Sequence, residues 1–531
     1  MKRRNWSGLS APLSGLLLVL AFPNFNLWPL AWVALVPFYL ALVCPAGWSG
    51  GAGERRTSAT KAVPAMQKFM GGTPFVALAL KLSRSNRGSH GFWLGFTIFL
   101  TGVYWISELN GSTPADKLFP WIGLAAIQGS FFACFAALAG WAIPKLPAPA
   151  RPFAFAAGWV TFELIRSLGV LNFPWMILAV SQAHGGGTNW LQLVSVGGQW
   201  LLSFAIALVN GLLAEAWKTK QWKPALLAGA LFLGIGISGF NLTLQGYFRD
   251  KSTTQPRITV AALQGGREAS DGVPDYAPLT EQAKADLVIW PEAAAGPLVG
   301  AEWRSRYLSE LAIRTKTDLL IGAGEAKPHT NTVWHIRPDG STGGRYDKQV
   351  LVPGGEFFPL YEVLGPIYFR FGATPEWNHV PGSKPAVFTL AGGTKVGTII
   401  CYESVLPWVA RQEVQQGAEF LVQPTSDSSF GKTAGPYQHL GIVITRAVEN
   451  RRYIVRAAAT GVSAIISPTG QIVNSLDLNK TGALTGGVLP LTERSLASQI
   501  GDLVAYLCAA GSVLALAYPL TPAGRGKHNP R

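Results

Sequence analysis

Hydrophobic positions are distributed unevenly along this chain of 531 residues. Long apolar runs fill the first half and return once near the end, whereas residues 256–490 mix short apolar runs with charge. Most of the long runs approach the roughly 20 residues that a helix needs to cross a bilayer. Eight spans are expected, at about 10–22, 27–43, 91–108, 120–142, 152–170, 192–216, 224–243 and 499–520. The first is short and is broken from the second by Phe22-Pro23-Asn24-Phe25-Asn26, so the two read as one bent hairpin. Trp28, Trp32, Trp105, Trp121 and Trp175 stand near span ends, as an aromatic belt requires.

The intervening segment has a different rhythm. Strand-like runs occur at Arg257–Gln264, Asp286–Trp290, Asp318–Gly322, Thr332–Arg337, 345–352, Lys395–Ile400, Glu419–Gln423 and Tyr453–Ala458. Helical patterns lie at 301–316, 405–416 and 436–451, and Asp339-Gly340 and Thr469-Gly470 signal tight turns. Strands alternating with helices and punctuated by hairpins predict a mixed α/β sandwich. The expected organisation is a membrane domain over 1–243, a catalytic domain over 244–498, and an eighth span with its tail over 499–531.

Charge then orients the chain. The formal net charge is +15. A basic chain suggests a nucleic-acid binder, but here Lys and Arg gather in short loops between apolar runs, so no nucleic-acid partner is expected. Lys2, Arg3 and Arg4 precede the first span and read as part of an uncleaved anchor; Lys145 and Arg151, then Lys218, Lys220 and Lys223, mark later loops. With eight spans every basic segment falls on one face, which places both ends in the cytoplasm and 244–498 outside. The basic loop over 44–90 is expected to be mostly flexible and to meet anionic membrane lipid. Within span five, Glu163 and Arg166 share a helix face; a structural ion pair or a substrate contact would each account for them.

Candidate chemistry sits at strand ends. Asp286-Leu287-Val288-Ile289-Trp290-Pro291 delivers Glu292, the 345–352 run carries Lys348, and Val396-Gly397-Thr398-Ile399-Ile400 delivers Cys401. Of the four cysteines only Cys401 lies in this domain, and no Cys/His spacing suits a metal, so neither metal nor cofactor is expected. A thiolate can attack a carbonyl, a carboxylate can take the thiol proton, and a fixed cation with a backbone N–H such as that of Tyr402 can hold an oxyanion. A Cys–His mechanism would draw on His329, His335, His379 or His439; none carries a local signature, and His439 beside Gln438 is the one to test.

The ordered set Trp290-Pro291-Glu292, Tyr346-Asp347-Lys348 with Val352-Pro353-Gly354-Gly355-Glu356, and Cys401-Tyr402-Glu403 resembles the nitrilase (carbon–nitrogen hydrolase) superfamily over about 256–490. Together with the spans, Phe22-Pro23, Trp28-Pro29-Leu30, Glu163-Leu164-Ile165-Arg166 and Asn172-Phe173-Pro174-Trp175, the whole chain resembles the bacterial apolipoprotein N-acyltransferases. The resemblance implies an α-helical transmembrane bundle joined to an αββα sandwich, in the bacterial cytoplasmic (inner) membrane. It implies catalysis by Glu292, Lys348 and Cys401, with a phospholipid acyl donor, a Cys401 thioester and a diacylated lipoprotein acceptor. Glu356 is expected to hold Lys348 or assist proton transfer, and Glu403 to support the fold around Cys401. Two positions depart from the family pattern: Ser429 replaces a tryptophan and Ala459 an asparagine. The alternatives are a membrane-anchored amidase that uses water, and a transporter with an inert nitrilase-like domain. Phe357, Phe358, Leu360, Tyr361, Leu364, Ile367, Tyr368 and Phe369 follow Glu356 and read either as core or as a lipid-facing arm.

Overall fold

The computed structural model describes residues 9–44, 86–108, 114–169, 172–254, 257–265, 273–326, 328–362, 365 and 378–525. The basic loop expected over 44–90 lies outside them except at its ends, as do Leu364, Ile367, Tyr368 and Phe369.

Each predicted span is helical. The helices are α1 (Ser10–Val19), α2 (Val36–Val43), α3 (Asn86–Gly102), α4 (Pro114–Ala142), α5 (Arg151–Ile165), α6 (Val194–Thr219) and α7 (Trp222–Ser252). Among the described residues, four helical stretches are long and apolar enough to cross a membrane: Lys117–Lys145, Val194–Thr219, Trp222–Asp250 and Leu503–Leu520. The others are shorter. The first two are cut by the turn at 20–27, where Leu27 N–H closes back on Leu20 O at 2.9 Å, and by a 3-10 segment at Trp28–Trp32. Helix α6 is kinked at Gly197 and Gly198, and Gly198 takes a φ of +69° that suits glycine. Helix α7 leaves Leu226, Leu233 and Ile237 exposed, a surface that water does not favour and acyl chains do.

Several buried polar side chains in the bundle are hydrogen-bonded, as a low-dielectric interior favours. Asn210 accepts from Leu35 N–H and donates to Ala31 O, and Tyr39 donates to Glu215 at 2.9 Å. Glu163 and Arg166 do not form the ion pair that is one of the two readings of them. They lie on one face of α5 but reach different ends of the segment that follows. Glu163 accepts from Trp159 Nε1 at 3.0 Å and from Leu178 N–H at 2.8 Å. Arg166 donates to Trp175 O at 2.7 Å, Phe173 O at 3.3 Å and Gln128 Oε1 at 2.6 Å. The two charges therefore clamp residues 173–178 from both sides.

The rest of the chain forms two six-stranded sheets packed face to face. The strands are β1 (Ile258–Gln264), β2 (Leu287–Ile289), β3 (Asp318–Ala326), β4 (His329–Ile336), β5 (Thr342–Asp347), β6 (Phe388–Thr389), β7 (Lys395–Thr398), β8 (Phe420–Thr425), β9 (Ile454–Ala458), β10 (Ser463–Ile466), β11 (Ile472–Leu476) and β12 (Gly482–Val488). The orders are β12-β1-β2-β3-β4-β5 and β11-β10-β9-β8-β7-β6. Strands β1, β2 and β3 run parallel at the centre of one sheet, and β7, β8 and β9 at the centre of the other. Alternation sets the layers. Val260, Ala262, Leu287 and Ile289 enter the core between the sheets with Phe420, Val422 and Val455. Ala261, Leu263 and Val288 face outward onto α8 (Val273–Ala283) and α9 (Glu302–Thr315). Helices α10 (Pro407–Gln415) and α11 (Gly435–Asn450) cover the outer face of the second sheet, which gives the expected αββα order. Helix α12 (Leu503–Ala517) returns to pack on α5 and α6.

Bundle and sandwich share a single apolar core: Phe22, Trp105 and Trp175 belong to the same cluster as Tyr402, Leu440 and Val443. Helix α7 runs to Ser252, past the expected boundary at 243/244. The joint is polar as well. Gln438, in the first turns of α11, accepts from Trp105 Nε1 (3.0 Å) and Trp175 Nε1 (2.8 Å), and donates to Gly102 O (2.7 Å) and Pro23 O (3.3 Å).

The clamp generates a prediction. Replacing Arg166 by Leu leaves the carbonyls of Phe173 and Trp175 without this donor, at about 1–3 kcal/mol for each buried unsatisfied group. Purified Arg166→Leu protein should melt at a lower temperature in detergent and be cut faster by protease at 172–178. Unchanged melting and cleavage would mean that the clamp contributes nothing.

Candidate active site

The candidate residues arrive from four segments. The parallel strand β2 ends at Ile289, and the chain turns so that Glu292 follows on its carboxyl side. Lys348 comes directly after β5, not within a strand, and its N–H bonds Asn331 O at 2.8 Å. Glu356 closes a tight loop: its N–H and that of Gly355 reach Val352 O, and its Oε2 accepts from Val352 N–H at 2.9 Å. Cys401 follows β7 and begins a 3-10 turn over Cys401–Val405. Its φ of +47° is rare for a residue with a side chain, and such strain persists only where the surroundings impose it. Carboxyl ends of parallel strands are where α/β folds present reactive groups.

Lys348 is the hub. Its side chain is 1% exposed, and Nζ lies 3.2 Å from Glu292 Oε1 and 2.8 Å from Glu356 Oε1. Burial alone would pull the ammonium down, but the two carboxylates outweigh it and hold Lys348 well above the usual lysine range. For Glu356, burial is likewise outweighed, by the Lys348 ammonium, and its carboxyl is held below the usual range. Asn331 Nδ2 donates to both carboxylates, at 2.6 Å to Glu292 and 2.9 Å to Glu356. An ammonium has three protons, and the carboxylates take two, leaving one that can point at a substrate oxygen.

Glu292 and Cys401 meet at Ser426. Glu292 Oε2 accepts from Ser426 N–H at 2.8 Å, and Cys401 Sγ is 4.0 Å from Ser426 O. Burial and the Glu292 carboxylate push the Cys401 thiol well above its usual range, against the opposing pull of Lys348. Cys401 is thus a thiol at rest, and any attack by it would need a base to remove its proton.

Glu403 ties the lysine segment to the cysteine turn. Its Oε1 accepts from Tyr346 Oη (2.8 Å), Gln349 N–H (2.6 Å) and Val350 N–H (3.2 Å), while Oε2 accepts from Ile400 N–H at 2.6 Å. Burial pushes its carboxyl up to about 7 despite those donors. Tyr402 points the other way, into the membrane domain, with Oη 3.0 Å from Asn172 O and 3.3 Å from Asn172 Oδ1. The clamped segment of the bundle therefore begins beside the residue next to the nucleophile.

Phe357 and Phe358 are half-buried, and Leu360 is 43% exposed. Gly354 N–H bonds Phe357 O at 2.7 Å, and Phe358 N–H bonds Asn378 Oδ1 at 3.0 Å, so the start of this apolar segment is anchored beside Glu356. Of the two departures from the family pattern, Ser429 is exposed and Ala459 is buried. Among the described residues no cluster of His, Cys, Asp and Glu could hold a metal ion.

Sequence reasoning missed Asn331, Ser426 and a buried set formed by Asp427, Arg456 and Gln423 around His439. Asn331 gave no signal; only its position on β4, beside the end of β5, places it. Asp427 and Arg456 stand in the two segments where the family comparison drew attention to neighbouring positions, Ser429 and Ala459.

Comparison with known proteins agrees with this architecture. Residues 254–493 match the carbon-nitrogen hydrolase family, and residues 65–212 match the apolipoprotein N-acyltransferase N-terminal domain. An amidase from Nesterenkonia sp. aligns with 44% of this chain and 90% of its own at 19% identity and a TM-score of 0.34. Relatives named apolipoprotein N-acyltransferase match along nearly the whole length. The Geobacter metallireducens protein is 29% identical over 96% of this chain and 95% of its own. The Azotobacter vinelandii protein is 32% identical over 92% of this chain and 90% of its own. With both domains matched and this coverage, the chain belongs to the apolipoprotein N-acyltransferase family.

Proposed function

We propose that this protein transfers an acyl chain from a phospholipid, through a thioester on Cys401, to the α-amine of the N-terminal diacylglyceryl-cysteine of lipoproteins. The observation that carries the reading is the convergence of Glu292, Lys348 and Cys401 next to a segment of the membrane bundle. Glu292 accepts the thiol proton while sulfur attacks the ester carbonyl of the donor. The developing oxyanion is held by the remaining Lys348 proton and the Tyr402 N–H. Collapse breaks the ester bond, and the leaving alkoxide takes the proton back from Glu292, which releases a lysophospholipid. In the second half the acceptor amine attacks the thioester, Glu292 takes its proton, and the Cys401 thiol is regenerated as the amide forms. Glu356 and Asn331 keep Lys348 and Glu292 aligned through both halves.

Both substrates are lipids, so an active site merged with the bundle serves them better than one on a tether. Eight spans, with the catalytic domain on the extracytoplasmic face of the bacterial inner membrane, agree with the position of the basic loops. Phe357 and Phe358 begin a lipid-facing arm that guides acyl chains toward Cys401.

Mass spectrometry after incubation with phospholipid should find one acyl group on Cys401. Glu292→Gln and Lys348→Met should slow its appearance by about 10²- to 10³-fold, and Cys401→Ala should abolish it. A wild-type rate in any of the three, on folded protein, would overturn the assignment. Topology has its own test. A cysteine introduced on the surface of 257–490 should react with an impermeant reagent in intact cells, and one at 145–151 only after permeabilisation. The opposite pattern would reverse the orientation.

A further inference from the structure

Three polar side chains converge on one backbone carbonyl. Cys401 O accepts from Ser404 Oγ at 3.0 Å and Gln423 Nε2 at 3.1 Å, and His439 Nε2 stands 3.2 Å away. Ser404 and Gln423 also touch His439 Nε2, at 3.0 and 3.3 Å. This carbonyl belongs to the residue whose left-handed backbone is strained, at a φ of +47°. A strained turn at the end of a short strand needs an outside constraint, and the hydrogen bonds to its carbonyl supply one.

His439 is itself fixed on every side. Asp427 Oδ1 is 2.9 Å from Nδ1, and Arg456 Nη2 binds the other Asp427 oxygen. Burial would raise the Asp427 carboxyl, but Arg456 and then His439 hold it below the usual range. An ionised carboxylate only accepts, so Nδ1 carries the proton and Nε2 is an acceptor, which takes one N–H of the Gln423 amide while the other goes to Cys401 O. The ring packs against Trp175 of the clamped bundle segment and against Phe430, with centroids 5.9 and 6.1 Å apart. His439, Asp427 and Arg456 are all buried. A cluster serving only the fold has no reason to meet at the nucleophile's carbonyl.

We infer that His439, oriented by Asp427, is a positioning residue: by accepting from Gln423 it fixes the amide that donates to the Cys401 carbonyl, and so holds the turn with Sγ facing Glu292 and Lys348. It exchanges no proton with the substrate. The inference rests on the reading of Cys401 as the nucleophile. His439 also follows Gln438, which binds two bundle tryptophans, so α11 carries the position of the membrane segment to the reactive sulfur.

The test is the rate of Cys401 acylation by phospholipid micelles, with melting temperature measured on each variant. H439L should lose about tenfold to a hundredfold in kcat with KM unchanged, the scale of a small displacement of a reacting atom. H439Q, whose amide reaches the Nε2 position, should recover most of the rate. H439N, which can keep the bond to Asp427 but falls short of the turn, should resemble H439L and replaces it if H439L does not fold. Wild-type rates in H439L and H439N would overturn the inference, as would H439Q falling as far as H439L or a loss confined to KM. The C401A variant separates the two readings. An acyl-enzyme in C401A would refute Cys401 as nucleophile, whereas an inert C401A with fully active His439 variants would refute only the role of His439.

Discussion

An ammonium ion out of water must be matched by negative charge, and Lys348 is almost wholly enclosed. One carboxylate would neutralise it and leave little to orient it. Two carboxylates fix it from two directions, and Asn331 braces both. That requirement explains why Glu356 belongs with Glu292, Lys348 and Cys401 in the proposed site. It also sets the charge of the site: two anions around one cation favour an uncharged thiol at Cys401, in line with its raised ionisation. Proton removal is thereby coupled to attack, and the thiol is not left as a reactive anion beside a membrane.

The second constraint comes from the bundle. Backbone groups of a non-helical segment buried against the bundle need partners, because an apolar core offers none. Residues 173–178 find them in Glu163 and Arg166, two charges that read in the sequence as a possible pair. Satisfying the segment individually makes it rigid in a way that a mutual ion pair would not. Its preceding residue, Asn172, then receives Tyr402, so a requirement of the buried segment becomes a fixed point for the Cys401 turn.

The alternation of apolar positions made most of this legible. The eight apolar runs are all helical, and the three helices and the strands that carry Glu292 and Cys401 lie where the pattern put them. Strands β6 and β10–β12 and helix α8 escaped. β6 has two residues, β11 is largely exposed, and Pro274 and Pro278 interrupt the helical pattern of α8. Lys348 was placed within a strand because Val350, Leu351 and Val352 extend the apolar run, yet β5 stops at Asp347. A side chain whose role depends on long-range pairing left no local mark: Asn331 meets Glu356, 25 positions away, and Glu292, 39 positions away.

The acidic residue after Cys401-Tyr402 shows how one carboxylate can join these constraints. Glu403 spans the lysine segment and the last residue before the cysteine, accepting backbone donors on both sides. Tyr402 and the carbonyl of Cys401 face elsewhere, the first toward Asn172 and the second toward His439. Three successive residues are thus held by three different parts of the molecule: the membrane segment, the lysine strand and the helix behind the turn. In the proposed reaction both substrates come from a fluid bilayer and lend little rigidity before they bind. Anchoring the nucleophile turn in three directions places that rigidity in the protein, so the reacting sulfur is aligned before either lipid arrives.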